Sequence, residues 1–148
     1  MLAALQAWPP LVALRASAWG YPVLEIVHIA GFALLVGSLA VLDARVWGAA
    51  RSLPLDTLGR LAVRTALLGL AIAASAGLVL FATGAAEFAA NPAFRLKLVL
   101  ITMALANAAL FHVRGSLQRA DGVARAQALA SALLWLGVIA AGRLIAYV

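Results

Sequence analysis

Apolar residues run along this chain in four long stretches separated by short polar breaks, at 23–42, 65–83, 98–113 and 127–147. Each approaches the ~20 residues with which a helix crosses a hydrocarbon core about 30 Å thick, the third with helical extensions on both sides. A shorter stretch, 11–19, carries Arg15 and Trp19 and suits a helix lying in the membrane interface. Tyr21-Pro22 opens the first span with proline at the first helical position, where its missing N–H costs nothing. Asn91-Pro92 does the same for the third, with Asn91 as N-cap. Segments 48–59 and 114–125 hold the Gly, Ser, Asp and Pro of loops. The pattern predicts an all-α, single-domain integral membrane four-helix bundle with a short N-terminal interfacial helix.

Composition agrees. Of 148 residues 66% are hydrophobic and 11% charged, and the mean hydropathy is +1.08; a soluble domain is about half apolar and a quarter charged. The net charge of +6 does not point to nucleic acid, because the arginines are spread between apolar runs. The absence of cysteine excludes disulfides, thiolate metal sites and iron–sulfur clusters. No Lys or Arg precedes Arg15, and Pro9-Pro10 interrupts the first apolar stretch, so no cleaved signal peptide is expected. Arg45, Arg51, Arg60 and Arg64 follow the first span, and Arg114, Arg119 and Arg125 follow the third; the other side holds Arg15, Arg95, Lys97 and Arg143. By the positive-inside rule both long connections are cytoplasmic and both termini lie outside, in the periplasm of an inner (plasma) membrane. Gly69, Ala73 and Gly77 recur every four residues on the second span, and Gly31, Gly37 and Ser38 on the first let a neighbouring helix approach.

The ionisable residues inside the spans carry the candidate chemistry, since charge in hydrocarbon is costly and is usually paired or functional. Glu25, His28, Lys97 and Arg143 all fall a similar short distance inside the outer end of their spans, and Glu25 and His28, three apart, share a helix face. They are expected to form one outward-facing polar site. A structural ion-pair network and a ligand, metal or proton site both fit; snorkelling of Lys97 and Arg143 to the headgroups would dissolve the cluster. As metal ligands, Glu25 and His28 form one Glu-x-x-His motif where a di-iron bundle needs two, and copper or zinc would need ligands from a second subunit or a partner. Haem b is the other cofactor considered. His112 lies on the order of 20 Å below His28 along the bundle, too far for both to ligate one iron, so ligation would be through a single histidine with Lys97 and Arg143 paired to propionates. Asp43, Arg45, Asn107 and His112 gather near the inner boundary as a second polar cluster, read as interfacial pairing of Asp43 with an arginine or as the inner end of a path across the membrane. No nucleophile–base spacing, phosphate loop or catalytic cysteine appears, so no catalytic residue is assigned.

Those same residues carry a family likeness. Trp19-Gly-Tyr-Pro-Val-Leu-Glu25-Ile-Val-His28, Gly37 through Asp43-Ala-Arg45, and Asn91-Pro-Ala-Phe-Arg-Leu-Lys97 stand with Asn107, Phe111-His112, Ser131, Trp135 and Gly142-Arg143-Leu-Ile-Ala-Tyr147. Together they resemble a group of small four-span bacterial membrane proteins known as a domain of unknown function. The first span is more distantly similar to copper-resistance-D-type membrane domains, which also carry His in hydrophobic helices and imply periplasmic metal handling. The expected function is a non-enzymatic haem- or metal-binding protein in a redox, electron-transfer or copper-handling accessory role. The alternatives are a small transporter or channel subunit using the same cluster for protons or anions, and a structural subunit of a membrane complex. The lipid bilayer is the expected partner, with homo-oligomerisation or a larger complex because four short spans enclose little volume.

Overall fold

A computed structural model describes residues 2–148. Among them the chain forms α1 (Leu2–Gln6), α2 (Pro9–Ala16), α3 (Gly20–Val46), α4 (Leu55–Thr83), α5 (Ala85–Ala90), α6 (Pro92–Val113), α7 (Ser116–Arg119) and α8 (Gly122–Leu144), with no strand. α3, α4, α6 and α8 are each long and apolar enough to cross a membrane, which makes this an all-α, multi-pass membrane protein. Their directions alternate. α1, α2, α5 and the C-terminus therefore meet at one end of the bundle, the terminal end, and the α3–α4 connection and α7 lie at the other, the loop end.

The helices outrun the apolar windows because backbone hydrogen bonding continues past the hydrocarbon boundary. α3 starts at Gly20, so Pro22 is its third residue rather than its first. It remains among the four N-terminal positions whose N–H has no intrahelical acceptor, and proline is tolerated there for the same reason. Pro9-Pro10, which the sequence suggested as an interruption, instead begins α2 at its first two positions. α4 starts at Leu55, which shortens the expected loop, and α5 and α7 add short turns between the spans. Asn91 caps α6 as expected, its Oδ1 accepting from Phe94 N at 3.0 Å, while its Nδ2 donates to the Val148 carbonyl at 2.6 Å and ties down the C-terminus. α7 is framed by left-handed residues, Gly115 and Ala120.

α3 lies most closely along α4 and also against α8, which carries α6. The α3–α4 approach is made by glycine: a Cβ on Gly69 would stand 2.5 Å from the Leu35 nitrogen and 2.6 Å from the Gly31 oxygen. The centre of the bundle is filled by Leu35, Ala66, Ala104, Trp135 and Val138, with the Phe32 ring edge-on to Trp135 at 5.8 Å. A second cluster, including Leu42, Ala62, Phe111 and Ala128, fills the loop end. At the terminal end Phe94 stacks on Phe81 at 5.4 Å and meets Phe88 at 5.8 Å, joining α4, α5 and α6. Large apolar side chains such as Ile26, Leu61, Leu78 and Leu133 are exposed on the outer faces, as helices apolar all round require when lipid replaces water.

Candidate functional site at the terminal end

His28 is held by the α3–α4 seam. Its Nδ1 stands 2.7 Å from the Ala73 carbonyl oxygen. A carbonyl only accepts, so Nδ1 carries the proton and donates, and in the neutral ring Nε2 keeps its lone pair. Gly77 makes room for the ring: a Cβ there would lie 2.9 Å from His28 Cε1 and 3.1 Å from Nδ1. Lys97, half-buried on α6, lies along Gly142 of α8, where an added Cβ would stand 3.5 Å from its Nζ. Both side chains are partly buried, His28 at the α3–α4 seam and Lys97 between α6 and α8.

Glu25 and Arg143 do not join them. Both are exposed, and Arg143 turns along its own helix, donating from Nη2 to the Tyr147 hydroxyl at 2.6 Å with its guanidinium 5.0 Å from the ring centroid. Three residues along a helix leave about 60° between Glu25 and His28. That angle puts His28 against α4 and Glu25 on the outer surface. Among the described residues the ion pairs are Arg60–Asp56 and Arg114–Asp121, so Glu25, Lys97 and Arg143 are joined by none. Nor do any three His, Asp or Glu side chains among them stand close enough to hold a metal ion; one chain offers this site one committed nitrogen.

The four residues expected at the loop end also separate. Asp43 is half-buried and meets Ser131 across α3 and α8, rather than an arginine. Arg45 reaches into its own loop, donating to the Leu53 and Arg51 carbonyls at 3.1 and 3.3 Å. Asn107 Nδ2 donates to the Gln127 carbonyl at 2.9 Å. His112 is exposed, with Nδ1 2.8 Å from the Ala108 oxygen one turn back. The network that does form lies in 114–127, where the sequence predicts only a loop and the start of the last span. Arg114 donates twice to Asp121, at 3.1 and 2.6 Å, and Ser116 donates to Gln127 Oε1 at 2.6 Å. Asp121 Oδ1 also caps α8 through Ala124 N at 2.9 Å. The Arg114 guanidinium and that N–H hold the Asp121 carboxyl well below the usual carboxylate range. An Asp-Gly pair ahead of an apolar run was the available signal.

A further recess opens at the terminal end. Arg15 donates from Nη1 to the Thr83 carbonyl at 2.9 Å, and with Tyr21, Thr83, Gly84, Glu87 and Phe88 it lines a cavity of about 280 Å³. The sequence pattern marks neither Tyr21 nor Glu87 as a site residue. No protein-family model, curated protein or solved structure matches the chain.

Proposed function

We propose that the protein is a non-enzymatic inner-membrane component that binds haem b or a metal ion through His28 Nε2, in a redox or copper-handling accessory role. The hydrogen bond from His28 Nδ1 to the Ala73 carbonyl carries this reading. Ligating histidines are oriented in this way, with one nitrogen fixed by an oxygen acceptor so that the other is presented with its lone pair. Haem can be held by one protein histidine, its iron chemistry then being that of the cofactor. Lys97, which residue counts along α6 put at a similar depth to His28, would supply a cation for a propionate. Copper or zinc needs further ligands, which a second copy or a partner protein would contribute. The faint sequence resemblance of the first span to copper-resistance-D-type domains leans the same way. Seven arginines at the loop end against Arg15, Arg95, Lys97 and Arg143 support periplasmic termini. The His28 site then faces the periplasmic half of the bilayer.

The test is the visible absorption spectrum of the purified protein together with metal analysis. The expected result is a Soret band or a stoichiometric metal, lost in His28→Ala and kept in Arg143→Ala. A featureless spectrum with no bound metal overturns the proposal. A second reading, a transporter or channel subunit for protons or anions, draws on Lys97, which has no carboxylate partner among the described residues. It predicts uptake in proteoliposomes that is lost in Lys97→Ala.

A further inference from the structure

The terminal-end recess and a separate apolar groove lie one above the other on the α3–α4 seam. Arg15, Tyr21 and Glu87 face the recess. Among the described residues no ion pair joins Arg15 to a carboxylate. Arg15 and the Glu87 carboxylate thus share one space without forming an ion pair. Gly84 keeps its floor open: a Cβ there would lie 3.2 Å from the Phe88 ring and 3.6 Å from Glu87 Oε2.

The groove, about 500 Å³, is lined by Leu24 and Val27 of α3 and Ile72, Ser75, Ala76 and Val79 of α4. Tyr21, Leu24 and Val27 follow one another at three-residue spacing. From Thr83, Val79, Ala76 and Ile72 descend at spacings of four, three and four. The α4 series keeps to one helix face, and Tyr21 and Leu24 stand about 60° apart on α3, so Thr83 above Val79 and Tyr21 above Leu24 set the groove below the recess. Within the bilayer this places a polar cup at headgroup depth and an apolar channel below it.

We infer that this seam binds an aminophospholipid: the phosphate at Arg15 and the Tyr21 hydroxyl, the ammonium at Glu87 beside the Phe88 ring, and one acyl chain in the groove. The charges set the class. Arg15 matches a phosphate, whereas Glu87 repels a headgroup with net negative charge and attracts a primary ammonium. The Phe88 face adds a cation–π contact for that ammonium. The length of apolar groove beneath the cup distinguishes a lipid from a free phosphoamine.

Native mass spectrometry of the full-length protein in detergent, titrated with phosphatidylethanolamine and phosphatidylglycerol of identical chains, tests this. The ethanolamine lipid is expected to be retained about threefold to tenfold better, the range for one net hydrogen bond. Glu87→Gln abolishes that preference. Ser75→Phe, at an exposed groove position, lowers retention of both lipids, and water-soluble glycerophosphoethanolamine does not displace them. Equal retention of the two lipids by the wild type, or an unchanged preference in Glu87→Gln, overturns the inference. So does binding of glycerophosphoethanolamine as tight as that of the lipid, which would make this a small-zwitterion site. A lipid-free dimer broken by Ser75→Phe would also overturn it, since a second copy would then fill the groove.

Discussion

Gly69→Ala is the perturbation whose cost the structure fixes most closely. The added Cβ would stand 2.5 Å from the Leu35 nitrogen, 2.6 Å from the Gly31 oxygen and 3.1 Å from the Leu34 carbonyl carbon, all backbone atoms of α3. Ordinary contact for such atoms begins near 3.4 Å, so the shortfall is close to 1 Å and no rotamer change relieves it. α3 and α4 must part, and a gap of 0.5–1 Å forfeits about a quarter to a half of the dispersion energy of each contact along the seam. Overpacking of this kind costs about 1–3 kcal/mol. Weakening of the His28–Ala73 hydrogen bond adds about 1 kcal/mol. At about 2–4 °C per kcal/mol for a chain of this size, the melting temperature falls by roughly 5–15 °C. Gly37→Ala is the internal control. Nothing lies within 4 Å of its Cβ, so alanine is expected to be neutral or to stabilise by up to about 1 kcal/mol. Thermal unfolding in detergent, followed by circular dichroism, reads both. A Gly69→Ala protein that melts with the wild type, or a Gly37→Ala protein that falls as far, would refute the close-approach argument.

Three further outcomes follow from other contacts. Gly77→Ala pushes a Cβ against the His28 ring and turns it off the Ala73 carbonyl; the absorbance or metal assigned to His28 is expected to fall as it does in His28→Ala. Asn91→Ala removes the α6 cap, at about 1 kcal/mol, and releases the C-terminus; amide exchange at Tyr147, whose N–H donates to the Leu144 carbonyl at 2.9 Å, is expected to quicken. Asp121 titrates below its ordinary value of 3.8 in the folded protein, so its contribution to stability is complete above that pH and is lost as pH falls toward the lowered value. The melting-temperature gap between the wild type and Asp121→Asn is therefore constant from pH 7 to 5 and closes below pH 3.8; a gap that widens in acid contradicts the assignment.

The spans were legible because twenty apolar residues in a row have one stable solution in lipid, and the Asn91 cap because its geometry is local. The Gly69, Ala73 and Gly77 stripe was legible as a close-approach face, although composition alone left Gly37 looking equivalent to Gly31. Only the pairing of α3 with α4 separates those two. Helix ends were not legible, since hydropathy marks the hydrocarbon boundary while hydrogen bonding runs past it. The separation of Glu25 and Arg143 from His28 and Lys97 was hidden for a related reason. Depth along a span is readable from residue counts, but which of two neighbouring side chains faces inward depends on which helix lies alongside. Asp43 fared likewise, its neighbour Ser131 being set by the α3–α8 contact.

The His28 imidazole itself is the most direct place to test the account, by nitrogen NMR of histidine-labelled protein before and after loading with haem. The account predicts a neutral ring with Nδ1 protonated and hydrogen-bonded, a bare Nε2, and loss or displacement of the Nε2 resonance when haem binds, with His112 unchanged. A ring protonated at Nε2, or a His28 spectrum indifferent to haem, would contradict it.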